Sequence, residues 1–474
     1  MIDGLRPYAE MKPTGLPWLG DVPAHWDVRR NGRLFAARRQ TGFPNLPILE
    51  VSIRSGVRVR DFDNGGRKQE IADRSKYQRA VKGDIAYNMM RMWQGAVGIA
   101  PVDGLVSPAY VVARPFDETD PAYYAYLFRT ATYMREIDVF SRGIVPDRNR
   151  LYWESFKQMP SAYPPLEEQR LIVRFLDWHG GQVARLVRAK KALIGLLNEQ
   201  KQAIIHRAVT RGLDANAKLK PSGIPWLGDV PEGWEVKRLR YLGSKFGSGV
   251  TPRGGATVYQ ASGVPFLRSQ NVHFDGIRLD GVAYIAQETH DSLPGTHLRP
   301  NDVLLNITGA SIGRVCAVPL NFQEGNVNQH VCIIRPKTAL INPAYLASYL
   351  STDFIQREIR SEQNGASREG LTLASIRSMI ILLPPLKVQQ SICEFIDAEA
   401  FEITTASQLI EREITLIQEF RTRMIADVVT GKLDVRALAA SLRETAGQEA
   451  TLDPSDDEDM DDLPGDLEPE EAAA

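Results

Sequence analysis

Thr14-Gly-Leu-Pro-Trp-Leu-Gly-Asp-Val-Pro-Ala-His-Trp-Asp-Val-Arg-Arg30 recurs as Ser222-Gly-Ile-Pro-Trp-Leu-Gly-Asp-Val-Pro-Glu-Gly-Trp-Glu-Val-Lys-Arg238, with 11 of 17 positions identical at an offset of 208. Self-similarity of this length means an internal duplication. Two further matches close each copy. Pro164-Pro-Leu-Glu-Glu-Gln169 answers Pro384-Pro-Leu-Lys-Val-Gln389, and Val209-Thr-Arg-Gly-Leu-Asp214 answers Val429-Thr-Gly-Lys-Leu-Asp434, both at offset 220. The parts between the tryptophan motif and the Pro-Pro therefore differ by 12 residues, while the segments from Pro-Pro to Leu-Asp are equal in length.

Those equal segments read as helices. Steps of four and three from Ile392 reach Ile396, Glu399, Ile403, Ala406, Ile410, Glu413, Ile417, Phe420 and Met424; eight of these ten positions are apolar. The first copy gives Ile172, Leu176, His179, Val183, Leu186, Lys190, Leu193, Leu197, Gln200 and Ile204, seven of ten apolar. This is a heptad seam, and the partner expected for each helix is the other copy, in an antiparallel coiled-coil pair roughly 60 Å long at about 1.5 Å per residue. Gly180-Gly181 is a site for a kink. His179 reads as a solvated seam residue.

The remaining parts match more weakly. Lys82–Asn88 parallels Pro300–Asn306, and Val106–Pro115 parallels Val327–Pro336. Both pairs read as short strands rich in β-branched and aromatic residues with Gly/Asn/Asp turns. Pro121-Ala-Tyr parallels Pro343-Ala-Tyr and reads as a helix start with Pro in its first turn. The fold class is α+β: two mixed α/β domains joined by two long antiparallel helices in a pseudo-twofold repeat. The expected boundaries are 1–163 and 215–383 for the domains, 164–214 and 384–438 for the helices, and 439–474 for a disordered acidic tail.

The formal net charge of −1 hides an asymmetry. Glu444 to Ala474 holds 13 acidic residues and no Lys or Arg, which leaves 45 acids against 57 bases, a net of +12, in the body. A basic body suits a polyanion, and the tail is too charged to fold. It reads as a solvating tail, or as a competitor of DNA for the basic body. Cys316, Cys332 and Cys393 form no CxxC pair and read as buried thiols in a reducing cytoplasm. No apolar run is long enough to span a bilayer, and Met1–Lys12 lacks the apolar segment of a signal peptide.

Marks of catalysis are missing. Gly249-Val-Thr-Pro-Arg-Gly254 lacks the lysine of a phosphate-binding loop and reads as a turn. There is no Asn- or Asp-Pro-Pro-aromatic run. Pro146-Asp147 with Glu154 and Lys157 has the wrong spacing for a metal-nuclease strand. No zinc spacing and no nucleophile–base set stands out. The chain is expected to be no enzyme and to bind no metal.

The Gly-x-Pro-Trp-Leu-Gly-x-x-Pro-x-x-Trp motif, the Pro-Pro-Leu-x-x-Gln motif and the helices ending in Val-Thr-x-x-Leu-Asp resemble the specificity subunit of Type I restriction–modification systems. So do Asn88-Met-Met-Arg-Met-Trp-Gln-Gly95, Ser107-Pro-Ala-Tyr110, Pro265-Phe-Leu-Arg-Ser-Gln-Asn-Val272 and Gly365-Ala-Ser-Arg-Glu-Gly-Leu371. The resemblance covers about residues 13–438. It implies two target-recognition domains that each read half of a split, asymmetric double-stranded DNA target, and helices that set the unread spacer and dock two modification (methyltransferase) subunits. Restriction (translocase/nuclease) subunits would join them. S-adenosylmethionine and ATP/Mg would belong to those partners, with no cofactor on this chain. The alternative is an orphan or other defence-system scaffold whose main role is assembling methyltransferase chains.

Base edges are met by Arg, Asn, Gln, Ser and Thr, and phosphates by Arg and Lys. The DNA-binding candidates in the first domain are Asn88, Arg91, Gln94, Ser107, Tyr110, Arg142, Arg148 and Arg150. In the second they are Arg253, Arg268, Ser269, Gln270, Asn271, Asn306, Thr308, Asn328, Gln329, His330, Ser367 and Arg368. Trp18, Trp26, Trp226 and Trp234 read as packing anchors, since both copies keep them, and Trp93 reads as core.

Overall fold

The computed structural model describes residues 5–60, 74–143, 149–225, 227–363 and 370–442. It divides into two compact units: Met1–Lys191 with Arg412–Ala474, and Ala192–Glu411. Arg148, Trp226, Ser367, Arg368, Pro146, Asp147 and the acidic tail from Glu444 lie outside the described residues.

The first unit is built on a four-stranded antiparallel sheet. Its strands are β1 (Phe35–Ala37), β2 (Ile85–Asn88), β3 (Val97–Ile99) and β4 (Tyr110–Pro115), in the order β1-β4-β2-β3. Every residue of β2 is buried, as expected of a central strand covered on both faces. The chain enters β2 through a turn at Asp84, whose Oδ2 accepts from the amide of Val81 at 2.9 Å. Pro121–Phe128 forms α1 with Pro in its first turn and Asp120 as N-cap, and Thr130 caps α2 (Ala131–Phe140). Phe35, Tyr87, Tyr124, Phe128, Tyr133 and Phe156 are fully buried between sheet and helices.

The second unit repeats this frame. Gly243–Ser248 (β5), Val303–Asn306 (β6), Val315–Ala317 (β7) and Val331–Pro336 (β8) pair antiparallel in the order β5-β8-β6-β7. Pro343–Leu350 follows as a helix with Asn342 as N-cap. The differences lie outside the frame. The first unit adds the hairpin Leu49–Ser52/Gly56–Val59 and the pair Gln78–Ala80/Gly104–Val106. The second adds a three-stranded sheet in which Val264–Leu267 runs antiparallel to Ala283–Ile285 and parallel to Asn326–Val327.

Each sequence motif has a mechanical task. The long helices run Leu166–Arg211 and Leu386–Val429. In the first unit, Gln169 at the start of its helix accepts from Asp120 N at 2.8 Å and donates to Pro164 O at 2.8 Å. In the second, Gln389 accepts from Asn342 N at 2.7 Å and donates to Pro384 O at 2.8 Å. The glutamine thus ties the cap of the short helix to the turn that launches the long one.

The helix ends are used crosswise. Within the first unit, Tyr123 donates to Val429 O at 2.8 Å, and Trp26 packs against Gly431. Within the second, Tyr345 donates to Val209 O at 3.3 Å, and Trp234 packs against Gly212. Both glycines are left-handed (φ +77° and +75°), so each ends its helix as only glycine does cheaply, and neither has room for a Cβ beside its tryptophan. Trp26 is fully buried and Trp234 nearly so; both are packing anchors. Trp93 is half-buried against the first core and donates its indole N–H to Met90 O at 2.9 Å.

Four expectations about the helices are corrected. The second helix stops at Val429; Asp434 then bridges Arg6, and Arg436–Ser441 forms a short helix on the first core. His179 is buried rather than solvated, and stacks on Phe175 with centroids 5.8 Å apart at 17°. The seam also departs from a strict heptad: Leu186 and Leu193 are 47% and 45% exposed and Phe420 is 42% exposed. The less exposed positions run 172, 176, 179, 183, 187, 190, 194, 197, 201, 205, 208 in one helix and 392, 396, 399, 403, 407, 410, 414, 417, 421, 424, 428 in the other. Ten steps cover 36 residues in each, one residue more than ten steps of a strict heptad. Pairing is antiparallel within each unit, with Lys190 against Glu413 at 2.5 Å in the first and Lys201 against Thr404 at 3.4 Å in the second. Gly180-Gly181 passes through as uninterrupted helix.

Candidate DNA interface

The strand ends decide where the polar candidates fall. Asn88 closes β2 opposite Tyr110, which opens β4. Arg91 and Gln94 follow in the turn to β3, both exposed, and that turn closes on left-handed Gly95. Ser107 precedes β4, and its Oγ accepts from Ala109 N at 3.3 Å. Leu151 N donates to Met89 O at 2.9 Å and so brings in the exposed pair Arg142 and Arg150, which are bridged to each other through backbone bonds of 3.0 and 2.9 Å. All described candidates of the first unit thus stand at one end of its sheet.

The second unit assembles the same end in the same way. Asn306 closes β6 opposite Val331, the first residue of β8. Leu371 N donates to Ile307 O at 2.8 Å, as Leu151 does to Met89. Asn328 N donates to Leu267 O at 3.0 Å, which sets the turn Arg268–Asn271 beside the strand ends. Arg253 is exposed in the segment that follows β5.

Burial sorts the candidates. Asn88, Asn271, Asn306 and Asn328 are buried and brace turns. Asn88 Oδ1 accepts from Met90 N at 2.9 Å, and Asn328 Oδ1 from His330 N at 3.2 Å. Asn271 spans Arg268 N and Arg278 O, and Asn306 donates to Ser269 O at 2.7 Å and Ser311 Oγ at 3.1 Å. Arg268 is half-buried, bound to Gly281 O at 3.1 Å and over the Tyr259 ring, while Gln270 is exposed and Ser269 half-buried.

Gln329 and His330 form a surface chain. Thr251 Oγ1 donates to Gln329 Oε1, Gln329 Nε2 meets His330 Nε2 at 2.8 Å, and His330 Nδ1 meets Thr308 Oγ1 at 2.5 Å. With Gln329 Nε2 the donor, His330 accepts at Nε2 and donates from Nδ1, which leaves the Thr308 hydroxyl hydrogen for an outside acceptor.

At the opposite end of each central strand lies an ion pair that sequence reading missed. Asp84 binds Arg38 through Nε at 2.5 Å and Nη2 at 3.1 Å. Asp302 binds Arg335 through Nε at 2.7 Å and Nη2 at 2.8 Å, and also accepts from Arg299 N at 2.8 Å. The aspartates are equivalent; the arginines are not, since Arg38 follows β1 and Arg335 lies in β8. Buried Asp next to a Gly- or Asn-containing turn was the available signal.

Burial pushes the thiols of Cys316 and Cys332 up to about 12, so neither is a nucleophile near neutral pH. Among the described residues no group of three or more His, Cys, Asp or Glu could hold a metal ion, and no helix is long and apolar enough to cross a membrane.

Residues 231–412 match the family described as the Type I restriction modification DNA specificity domain. A relative from Methanocaldococcus jannaschii, the putative type I restriction enzyme MjaX specificity subunit, is 24% identical over 438 residues, covering 88% of this chain and 96% of its own. The Escherichia coli type I restriction enzyme EcoBI specificity subunit is 22% identical over 57% of each chain. A solved structure reported for the assembly and conformational transition of the type I R-M system shares the fold at a TM-score of 0.62 with 16% identity, covering 86% of this chain and 98% of that one. Over most of its length the chain is similar to type I restriction enzyme specificity subunits, and residues 231–412 match the specificity-domain family itself.

Proposed function

We propose that this chain is the DNA sequence-recognition subunit of a type I restriction–modification complex and reads a bipartite, asymmetric target, one half with each unit. The carrying observation is that two copies of one sheet frame present different polar chemistry at the same end: Gln94, Tyr110, Arg142 and Arg150 in the first, Gln270, Thr308, Gln329 and His330 in the second. Unlike readers on a shared frame give a non-palindromic site, as like readers in a twofold dimer give a palindrome. The equal Pro-Pro to Leu-Asp segments support a fixed spacer between the halves.

The chain is a recognition subunit and not an enzyme. S-adenosylmethionine and ATP/Mg would be held by modification and restriction subunits in the cytoplasm. Leu193, Leu196, Phe401 and Leu409 leave apolar side chains exposed on the helices of the second unit, in keeping with a docked modification subunit. Single-molecule methylome sequencing of cells carrying the complex tests the reading. The expected result is one split motif that disappears when this chain is deleted; a continuous motif, or an unchanged methylome, would overturn it.

A further inference from the structure

The sheet end of the first unit carries a cleft of about 270 Å³ that the candidates above do not explain. Its walls include Arg39, Gln78, Tyr110, Tyr152 and Trp153. Tyr152 is 44% exposed. Gln78 donates through Nε2 to Tyr110 O at 3.2 Å and Pro108 O at 3.4 Å, so its amide is held in place, and its Oε1 has no hydrogen bond among the described residues. Glu154, also in the wall, is tied to Lys157.

The rim is cationic. Gly42 N donates to Ser75 O, which places Arg74 and Lys76 beside the segment that follows Arg39. The bond from Leu151 to Met89 places Arg150, with Arg142, on the other side. All five are exposed, and none has a carboxylate partner among the described residues. At the matching positions the second unit has Gln329, His330 and Thr308 in place of Pro108, Ala109 and Met90, joined in a hydrogen-bonded chain.

A base within a duplex stack presents only an edge and enters no hole. Aromatic walls, a fixed amide acceptor and exposed cations nearby that have no carboxylate partner among the described residues instead suit a base displaced from the stack, with its flanking phosphates outside. We propose that this cleft is a subsite for one unstacked base of the DNA half-site read by the first unit. Tyr152 stacks on the base, Gln78 accepts from its edge, and Arg39 and Arg150 hold the neighbouring phosphates. The inference rests on the DNA-reading function above.

The test uses the full chain assembled with its modification partners on duplexes carrying the target. Each nucleotide of the first half-site is made abasic in turn, and affinity is measured for the natural complex and for Tyr152→Ala, with Tyr152→Phe as the conservative control. On the intact target, Tyr152→Ala is expected to weaken binding about tenfold and Tyr152→Phe little. At one position, loss of the base should cost less than at its neighbours and should erase the Tyr152→Ala penalty. A penalty equal on every duplex, or none at all, overturns the subsite while leaving DNA reading intact. A natural complex with no preference for the target over a scrambled duplex overturns DNA reading and this inference with it.

Discussion

The two units share their mechanics and differ in their chemistry. Tyr123 and Tyr345, Gln169 and Gln389, and Trp26 and Trp234 make matching contacts. The sheet ends do not match: one offers an aromatic cleft with arginines around it, the other a Thr–Gln–His–Thr chain. Asp84 and Asp302, at the start of each central strand, are equivalent in place but held by arginines from different parts of the frame. Duplication has kept what fastens each reader to the helices and freed what faces outward.

The comparison can be broken first at the tryptophans. Trp26→Ala and Trp234→Ala should each cost about 3–5 kcal/mol, with Trp26 the costlier because it is more completely buried. Denaturant unfolding of the full chain reports both, and a negligible loss at either would end the claim that the motif is a fastener. Removing one partner of a buried ion pair comes next. Asp302→Ala leaves Arg335 without its carboxylate and should cost about 3 kcal/mol, with Asp84→Ala similar if the two pairs do equivalent work. Gln389→Leu strands the amide of Asn342 and the carbonyls of Leu340 and Pro384, for a loss of about 1–3 kcal/mol in thermal unfolding.

Function sharpens the comparison further. Gln270→Ala and His330→Ala should each weaken binding by about 1–3 kcal/mol when the second half-site is intact, and not at all when only the first half-site is present. Equal loss on unrelated DNA would move the residue to phosphate contact. The smallest effect concerns pH. Burial, and then the charge of Arg421, hold His179 below its ordinary pKa of 6.5. The unfolded chain therefore takes up a proton that the folded one resists, and stability falls as pH drops from about 6.5 toward the folded value. His179→Phe should flatten that slope in unfolding measured between about pH 5 and 7.5; an unchanged slope would assign it elsewhere.

Much of this was legible beforehand, for physical reasons. The strands ending at Asn88 and Asn306 and the Pro-started helices at Pro121 and Pro343 follow from local pattern and sit where expected. The seam was legible in its direction but not in its phase. A strict heptad slips by one residue over a long helix, so Ile172, Leu176 and Val183 lie on the buried stripe while Leu186 is exposed. The docking of Trp26 on Gly431 joins residues about 400 apart in sequence, which no local pattern encodes. At the interface, loop position was readable and burial was not: the four asparagines have the residue type of base readers and the placement of turn braces. Arg39, Gln78 and Tyr152 carry no motif; only the folding of three distant segments brings them together.

The crosswise fastening also orders events during synthesis. The second unit is a single stretch, Ala192–Glu411, whereas the first needs Arg412 onward, and its core includes Met424, Val428, Val429, Val435 and Ala439. A ribosome adding about 5–20 residues per second takes on the order of ten to forty seconds to pass from residue 191 to residue 412. For that interval the earlier-made unit leaves the apolar bed for those side chains open to water, while the later-made one already has all its parts. The reader that emerges first is completed last, so a messenger or polypeptide cut short near residue 411 would yield one finished reader beside one that chaperones and proteases still recognise as unfinished.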